Sequence, residues 1–115
     1  MTKDNRSTLN PAVGLYANQI GFSDVSPFEI VRVISLKTIE IREMEATLDP
    51  TWKPQIDVGG FVGHTVNNAD QRWICKSDPE APVMRARLHK DGCFHSEYGK
   101  HLISEKPQRF YDYNF

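Results

Sequence analysis

The sequence predicts an all-β domain, mainly antiparallel, folded as a small barrel or sandwich with a long irregular loop. Three observations predict it. Residues 28–34 and 38–44 are two neighbouring runs dense in β-branched side chains. Residues 83–90 and 93–96 flank Asp91-Gly92, a dipeptide that suits a tight hairpin turn. No stretch carries the apolar spacing of an amphipathic helix, and short strands recur between turn signals. Size and strand spacing favour an SH3-like barrel among the small β architectures.

Residues 1–11 are polar, end in Asn10-Pro11 and read as a flexible leader to a single β-rich domain over 12–115. Residues 12–17 are short and apolar, a first strand or a turn into one. Residues 21–27 have the composition of a loop. In Phe28-Glu29-Ile30-Val31-Arg32-Val33-Ile34 and Thr38-Ile39-Glu40-Ile41-Arg42-Glu43-Met44, strand geometry sends Ile39 and Ile41 to one face and Glu40 and Arg42 to the other. With Ser35-Leu36-Lys37 between them, the runs form an antiparallel hairpin with one buried face. A helix competes over 38–46 because Glu, Arg, Met and Ala favour helices, but alternation and β-branching agree on a strand.

Residues 47–70 are punctuated by Asp49-Pro50, Lys53-Pro54, Gly59-Gly60, Gly63 and Asn67-Asn68 and form the long loop, with Phe61-Val62 as a brief strand inside it. Residues 71–76 are a strand stopped by Ser77-Asp78-Pro79. The second hairpin follows, then a short apolar piece at 101–103. The aromatic tail from Arg109 onward should dock on the body.

Composition narrows the function. A chain of 115 residues can bury about 60–70% of its unfolded surface without a metal or disulfide. Lys+Arg number 14 and Asp+Glu 15, which argues against a grip on duplex DNA through its phosphates. Two cysteines, Cys75 and Cys93, are too few for a secreted disulfide scaffold, and the start of the chain lacks a signal-peptide run. No apolar stretch is long enough to span a bilayer. The expected setting is the cytoplasm, with no membrane partner and no cofactor.

Residues 13–14 (Val-Gly), Ser23-Asp24, the 30–34 and 37–42 runs, the 87–92 segment ending Lys90-Asp91-Gly92, Gly99 and the ending Tyr111-Asp112-Tyr113-Asn114-Phe115 form two blocks. Together they resemble a group of small uncharacterised proteins encoded by phages and prophages. The resemblance covers about half of the chain and leaves out residues 47–82. It implies a mobile-element accessory protein acting on a host component, and it carries over no activity and no site residue.

Catalytic and metal chemistry find little support. A structural zinc needs four converging ligands, whereas Cys75, Cys93, His64, His89, His95 and His101 lack the paired spacing. Cys93 with His95 is the one thiol–imidazole pair worth testing, and nothing local enforces it. Glu40, Glu43 and Glu45 read as a solvated strand face rather than acid–base machinery. The Gly59-Gly60-Phe61-Val62-Gly63-His64 segment opens no helix, so it is no phosphate cradle.

The expected function is therefore non-catalytic binding of a host or phage protein, with self-association as a further option. Two surfaces are candidates. The first is the long loop, through Phe61, His64 and an exposed Trp52 acting as anchor. Trp73, by contrast, reads as core. The second is a basic strand face in which alternation groups Arg85, Arg87 and His89 opposite Met84, Ala86 and Leu88, with Lys90 nearby. That face makes a small barrel binding nucleic acid the alternative. The competing reading is an ordinary polar face whose arginines pair with acids.

Overall fold

In the computed structural model, which describes residues 9–57, 64–65 and 70–112, the chain is all β and antiparallel. The strands are β1 (Tyr16–Ile20), β2 (Val25–Ser26), β3 (Phe28–Ser35), β4 (Thr38–Glu43), β5 (Glu45–Leu48), β6 (Ile56–Asp57), β7 (His64–Thr65), β8 (Trp73–Lys76), β9 (Val83–Leu88), β10 (Phe94–Ser96) and β11 (Gly99–Ser104). Six of them run β11-β10-β9-β4-β3-β1, and β1 pairs back onto β11, so the sheet closes as a barrel rather than a sandwich. β2 is an extra strand on β1. Two small ribbons, β5 with β8 and β6 with β7, stand outside the barrel.

Both hairpins read from the sequence are present. In the first, Ile30 pairs with Ile41, Val33 with Ile39 and Ser35 with Thr38. The register shifts between Ile30 and Arg32 and again between Val33 and Ser35. Such bulges add local twist and bend to a strand, which helps a sheet to close. In the second hairpin the turn residue Gly92 has φ 81°, a conformation that costs an L side chain roughly 1–2 kcal/mol. Asp91 fixes that turn by accepting the Cys93 N–H at 2.9 Å.

Three boundaries differ from expectation, each for a local reason. The segment 21–27 contains β2, which pairs with β1 through Ile20–Val25 and Gln19–Ser26 across a turn closed by Gly21 N–H to Asp24 O at 2.8 Å. Pro27 then separates β2 from β3, since it has no N–H to give a ladder. The strand read over 38–44 is β4, which stops one residue earlier, at Glu43. The ladder breaks at Met44, whose N–H goes to Pro27 O at 3.0 Å, and the chain continues as β5 toward the outer ribbon. Finally, Leu9 lies in the segment read as a leader, yet it packs against the core.

The barrel interior follows from parity. Ala17, Phe28, Ile30, Ile39, Ile41, Ala86, Phe94 and Ile103 are buried in one cluster. Each fully buried Ile or Phe side chain among them contributes about 1.5–3 kcal/mol relative to exposure. One imidazole joins them. His101 is wholly buried, with Nδ1 2.9 Å from Ala17 O and Nε2 2.7 Å from Ser96 Oγ. A carbonyl can only accept, so Nδ1 carries the proton and Nε2 accepts from the Ser96 hydroxyl. The Ser96 oxygen in turn accepts the Tyr98 N–H at 3.1 Å.

Residues 106–110 dock on the barrel, in keeping with the expectation for the tail from Arg109, while Tyr113, Asn114 and Phe115 lie outside the described residues. Asn18, only 1% exposed although its strand parity points it outward, donates through Nδ2 to Lys106 O at 2.9 Å and accepts from Gln108 N–H at 3.0 Å. Phe110 and Val25 exchange both backbone hydrogen bonds. The Arg109 guanidinium donates to Val25 O at 3.1 Å and lies over the Trp73 and Tyr111 rings at 5.2 and 5.8 Å. This strap joins the β1–β2 edge of the barrel to the β5–β8 ribbon.

Candidate functional site

The outer surface of β3, β4, β9, β10 and β11 gathers most of the basic side chains that parity turns outward. Cross-strand register places Arg32 beside Glu40 and Glu40 beside Arg85 in one row. The next row runs Thr38, Arg87, His95, Lys100. With strands about 4.8 Å apart, the four intervals from β3 to β11 span roughly 19 Å of curved sheet. Val83, Arg85 and Arg87 alternate with Met84 and Ala86 as expected, and both arginines are exposed.

Charge on this face is not balanced. Glu40 is shared by two guanidiniums, Arg32 at 3.7 Å and Arg85 at 3.5 Å. Both pairs are loose and largely exposed, so each contributes about 0–1 kcal/mol. Arg87 makes no ion pair among the described residues. The expectation that surface acids neutralise these arginines therefore holds only in part for Arg85 and not for Arg87. Lys90 is exposed in the hairpin loop, and Lys37 in the β3–β4 turn is exposed as well.

The β9–β10 hairpin adds a flat group to the basic one. The imidazoles of His89 and His95 stack with centroids 4.0 Å apart and planes 20° off parallel. His95 Nε2 lies 2.8 Å from Asp91 Oδ2. The Cys93 N–H and then His95 hold the Asp91 carboxyl below its usual range. One carboxylate thus locks both the turn and the ring. His89 lies one residue beyond β9 and is exposed. Sequence parity grouped His89 with Arg85 and Arg87. It could not reveal His95 and Lys100, because their places depend on how β10 and β11 pair.

The long-loop surface fares differently. Trp52, expected as an exposed anchor, is only 4% exposed, so burial removes it from that role. Its backbone N–H donates to Asp49 O at 3.0 Å, in a turn that Asp49 also caps through the Thr51 N–H at 2.8 Å. Trp73, expected in the core, is instead half-buried on the outer ribbon, with Nε1 donating to Gln71 Oε1 at 2.8 Å. Phe61 lies outside the described residues. His64 belongs to β7, paired with Asp57.

A cleft of 510 Å³ opens between the start of β1, β3 and the β5–β8 ribbon, with Tyr16, Val31, Met44 and Cys75 among its walls. Glu29, also on the wall, accepts from Arg42 Nη2 at 3.2 Å and from the Ser77 hydroxyl, which ties the ribbon to the barrel. Burial pushes the Cys75 thiol pKa up, against a weaker opposing pull from Arg109, so Cys75 is held as the poorly nucleophilic thiol. Cys93 is 1% exposed, and neither it nor His95 lines this cleft. Among the described residues, no group of three or more His, Cys, Asp or Glu is placed to hold a metal ion.

No protein-family model, no curated protein and no solved structure matches this chain. No helix among the described residues is long and apolar enough to cross a membrane.

Proposed function

We propose that this protein is a non-catalytic binding module that contacts a negatively charged ligand through the outer face of β4, β9 and β10. The observation that carries this reading is Arg87, exposed at the middle of a cation-rich face and without an ion-pair partner among the described residues, while Arg32 and Arg85 share one carboxylate. The resemblance to phage and prophage proteins supports an accessory role in a mobile element. The low cysteine content, two in the whole chain, supports a reducing compartment, the cytoplasm.

A chain of net charge -1 has no reason to adhere to a polyanionic resin unless its positive charge is segregated. The expected result is retention on phosphocellulose at low salt and neutral pH. The double variant Arg85→Glu/Arg87→Glu should flow through while keeping the wild-type circular dichroism spectrum. Equal flow-through of both proteins would refute the reading.

A protein partner is the second reading, favoured by an apolar tip beside the basic face. Leu36 is 63% exposed in the β3–β4 turn, and the adjoining Lys37 carbonyl accepts the N–H of Leu88, itself 37% exposed. On this reading, Leu36→Lys abolishes a specific crosslink to one host or phage protein. A crosslink unaffected by Leu36→Lys would exclude this tip as the contact.

A further inference from the structure

The charge of the basic face does not by itself say which anion it takes. Three features narrow the choice. First, the side chains that register brings together on the face are Arg85, Arg87, His95 and Lys100, with His89 stacked at its edge. A protein interface usually has an apolar centre, and this one has none. The most exposed apolar residues, Phe22, Val13 and Leu36, lie off these rows. Second, the His89–His95 pair is a flat, ordered surface fixed from below by Asp91. His89 is exposed, so the ring face not covered by His95 can meet another flat group. Third, the footprint is small and the whole chain carries net charge -1, which suits a few phosphates rather than a duplex.

We propose that the ligand of this face is a single-stranded nucleic acid, with phosphates on Arg85, Arg87 and Lys100 and one base stacked on the His89–His95 pair. The proposal rests on the anion-binding reading above and names its ligand. Cations tracking a backbone beside a flat side chain are the usual means by which small barrels hold single strands. Arg85 and Arg87, two residues apart on β9, stand about 6.8 Å from each other along the strand. Arg87, His95 and Lys100 then continue across three adjacent strands. The carboxylates on the face are engaged, Glu40 with two arginines and Asp91 with the Cys93 N–H and His95.

The test is fluorescence anisotropy of the full chain with a labelled oligothymidylate of about 12 nucleotides, within the site size of one small barrel. An abasic oligomer of equal length and poly-L-glutamate serve as competitors. Three phosphate contacts predict a slope of about −2 for log K against log salt. Arg87→Glu should weaken binding at least 10-fold. His89→Ala should weaken oligothymidylate binding about 10-fold while leaving abasic binding unchanged, a split that mere loss of structure would not produce. If poly-L-glutamate competes as well as the oligonucleotide, or if the abasic oligomer binds as tightly as oligothymidylate, the nucleic-acid proposal fails and the anion-binding module stands. If none of the three binds and phosphocellulose does not retain the protein, both fail.

Discussion

Replacing Phe28 with alanine lowers the unfolding free energy by about 3–5 kcal/mol, the usual loss for a fully buried aromatic. Phe28 is 1% exposed and stands at the start of β3, where its ring meets two others. The His101 imidazole lies edge-on to it at 4.9 Å and 87°, and Tyr98 is tilted against it at 5.9 Å. Each favourable aromatic pair adds about 0.5–1.5 kcal/mol beyond area burial, so truncation removes contacts as well as opening a cavity. A domain of this size has roughly 5–15 kcal/mol of stability in all, which leaves the variant near the threshold of folding. Urea unfolding followed by tryptophan fluorescence checks this, with the midpoint falling and the slope unchanged. Phe22→Ala, at a position 93% exposed, should stay within about 0.5 kcal/mol of the parent. A loss below about 1 kcal/mol for Phe28→Ala would contradict its place in the core.

Acid should destabilise the protein through a second core residue. Burial, opposed by the Ala17 carbonyl, holds the His101 pKa below its ordinary 6.5. Above pH 6.5 the ring is neutral whether the chain is folded or unfolded. Below it the unfolded chain takes up a proton that the folded chain refuses until a lower pH. Stability is therefore complete above about 6.5 and is lost as pH falls toward the folded value, by at most about 1.4 kcal/mol per pH unit. Protonation would also place a donor on Nε2, forcing the Ser96 hydroxyl to turn from donor to acceptor. Thermal melts at pH 7.5 and 5.5 should show the drop. In His101→Gln, whose amide can both donate and accept but does not titrate, the drop should shrink. Asp49 and Asp91, both held below the carboxylate range by nearby N–H groups, lose their charge only at much lower pH. An unchanged pH dependence in the glutamine variant would remove His101 as the cause.

What the sequence allows to be read here follows the reach of each interaction. The 28–44 and 83–96 hairpins are legible because their side-chain alternation and turn chemistry are local, and Arg85 and Arg87 are placed by parity alone. β1 is less legible. Its Ala17 and Asn18 are both buried, which no strand with one wet face would show, because residues 106 and 108 cover its outer side. Nothing local marks His101 as a core residue, because its carbonyl partner comes from β1, 84 residues away. Trp52 and Trp73 exchange their expected environments because burial in this region depends on where the outer ribbon and the strap lie. The basic face shows the same division. Its β9 arginines follow from sequence, and its breadth follows only from the pairing of β4, β10 and β11 around them.

The pairing of β1 with β11 joins the two ends of the barrel, and the Asn18–Lys106 hydrogen bond spans 88 residues. Such long loops must close before their contacts repay the entropy of ordering them. Folding of this chain should accordingly be slow for its size, in the millisecond-to-second range of barrels dominated by distant contacts. A ribosome that has released residues 1–96 holds both hairpins together with β1 and β2, but β1 and β10 still lack their shared neighbour β11. Until β11 emerges, that intermediate exposes unpaired backbone and is the species most prone to aggregate or to recruit a chaperone.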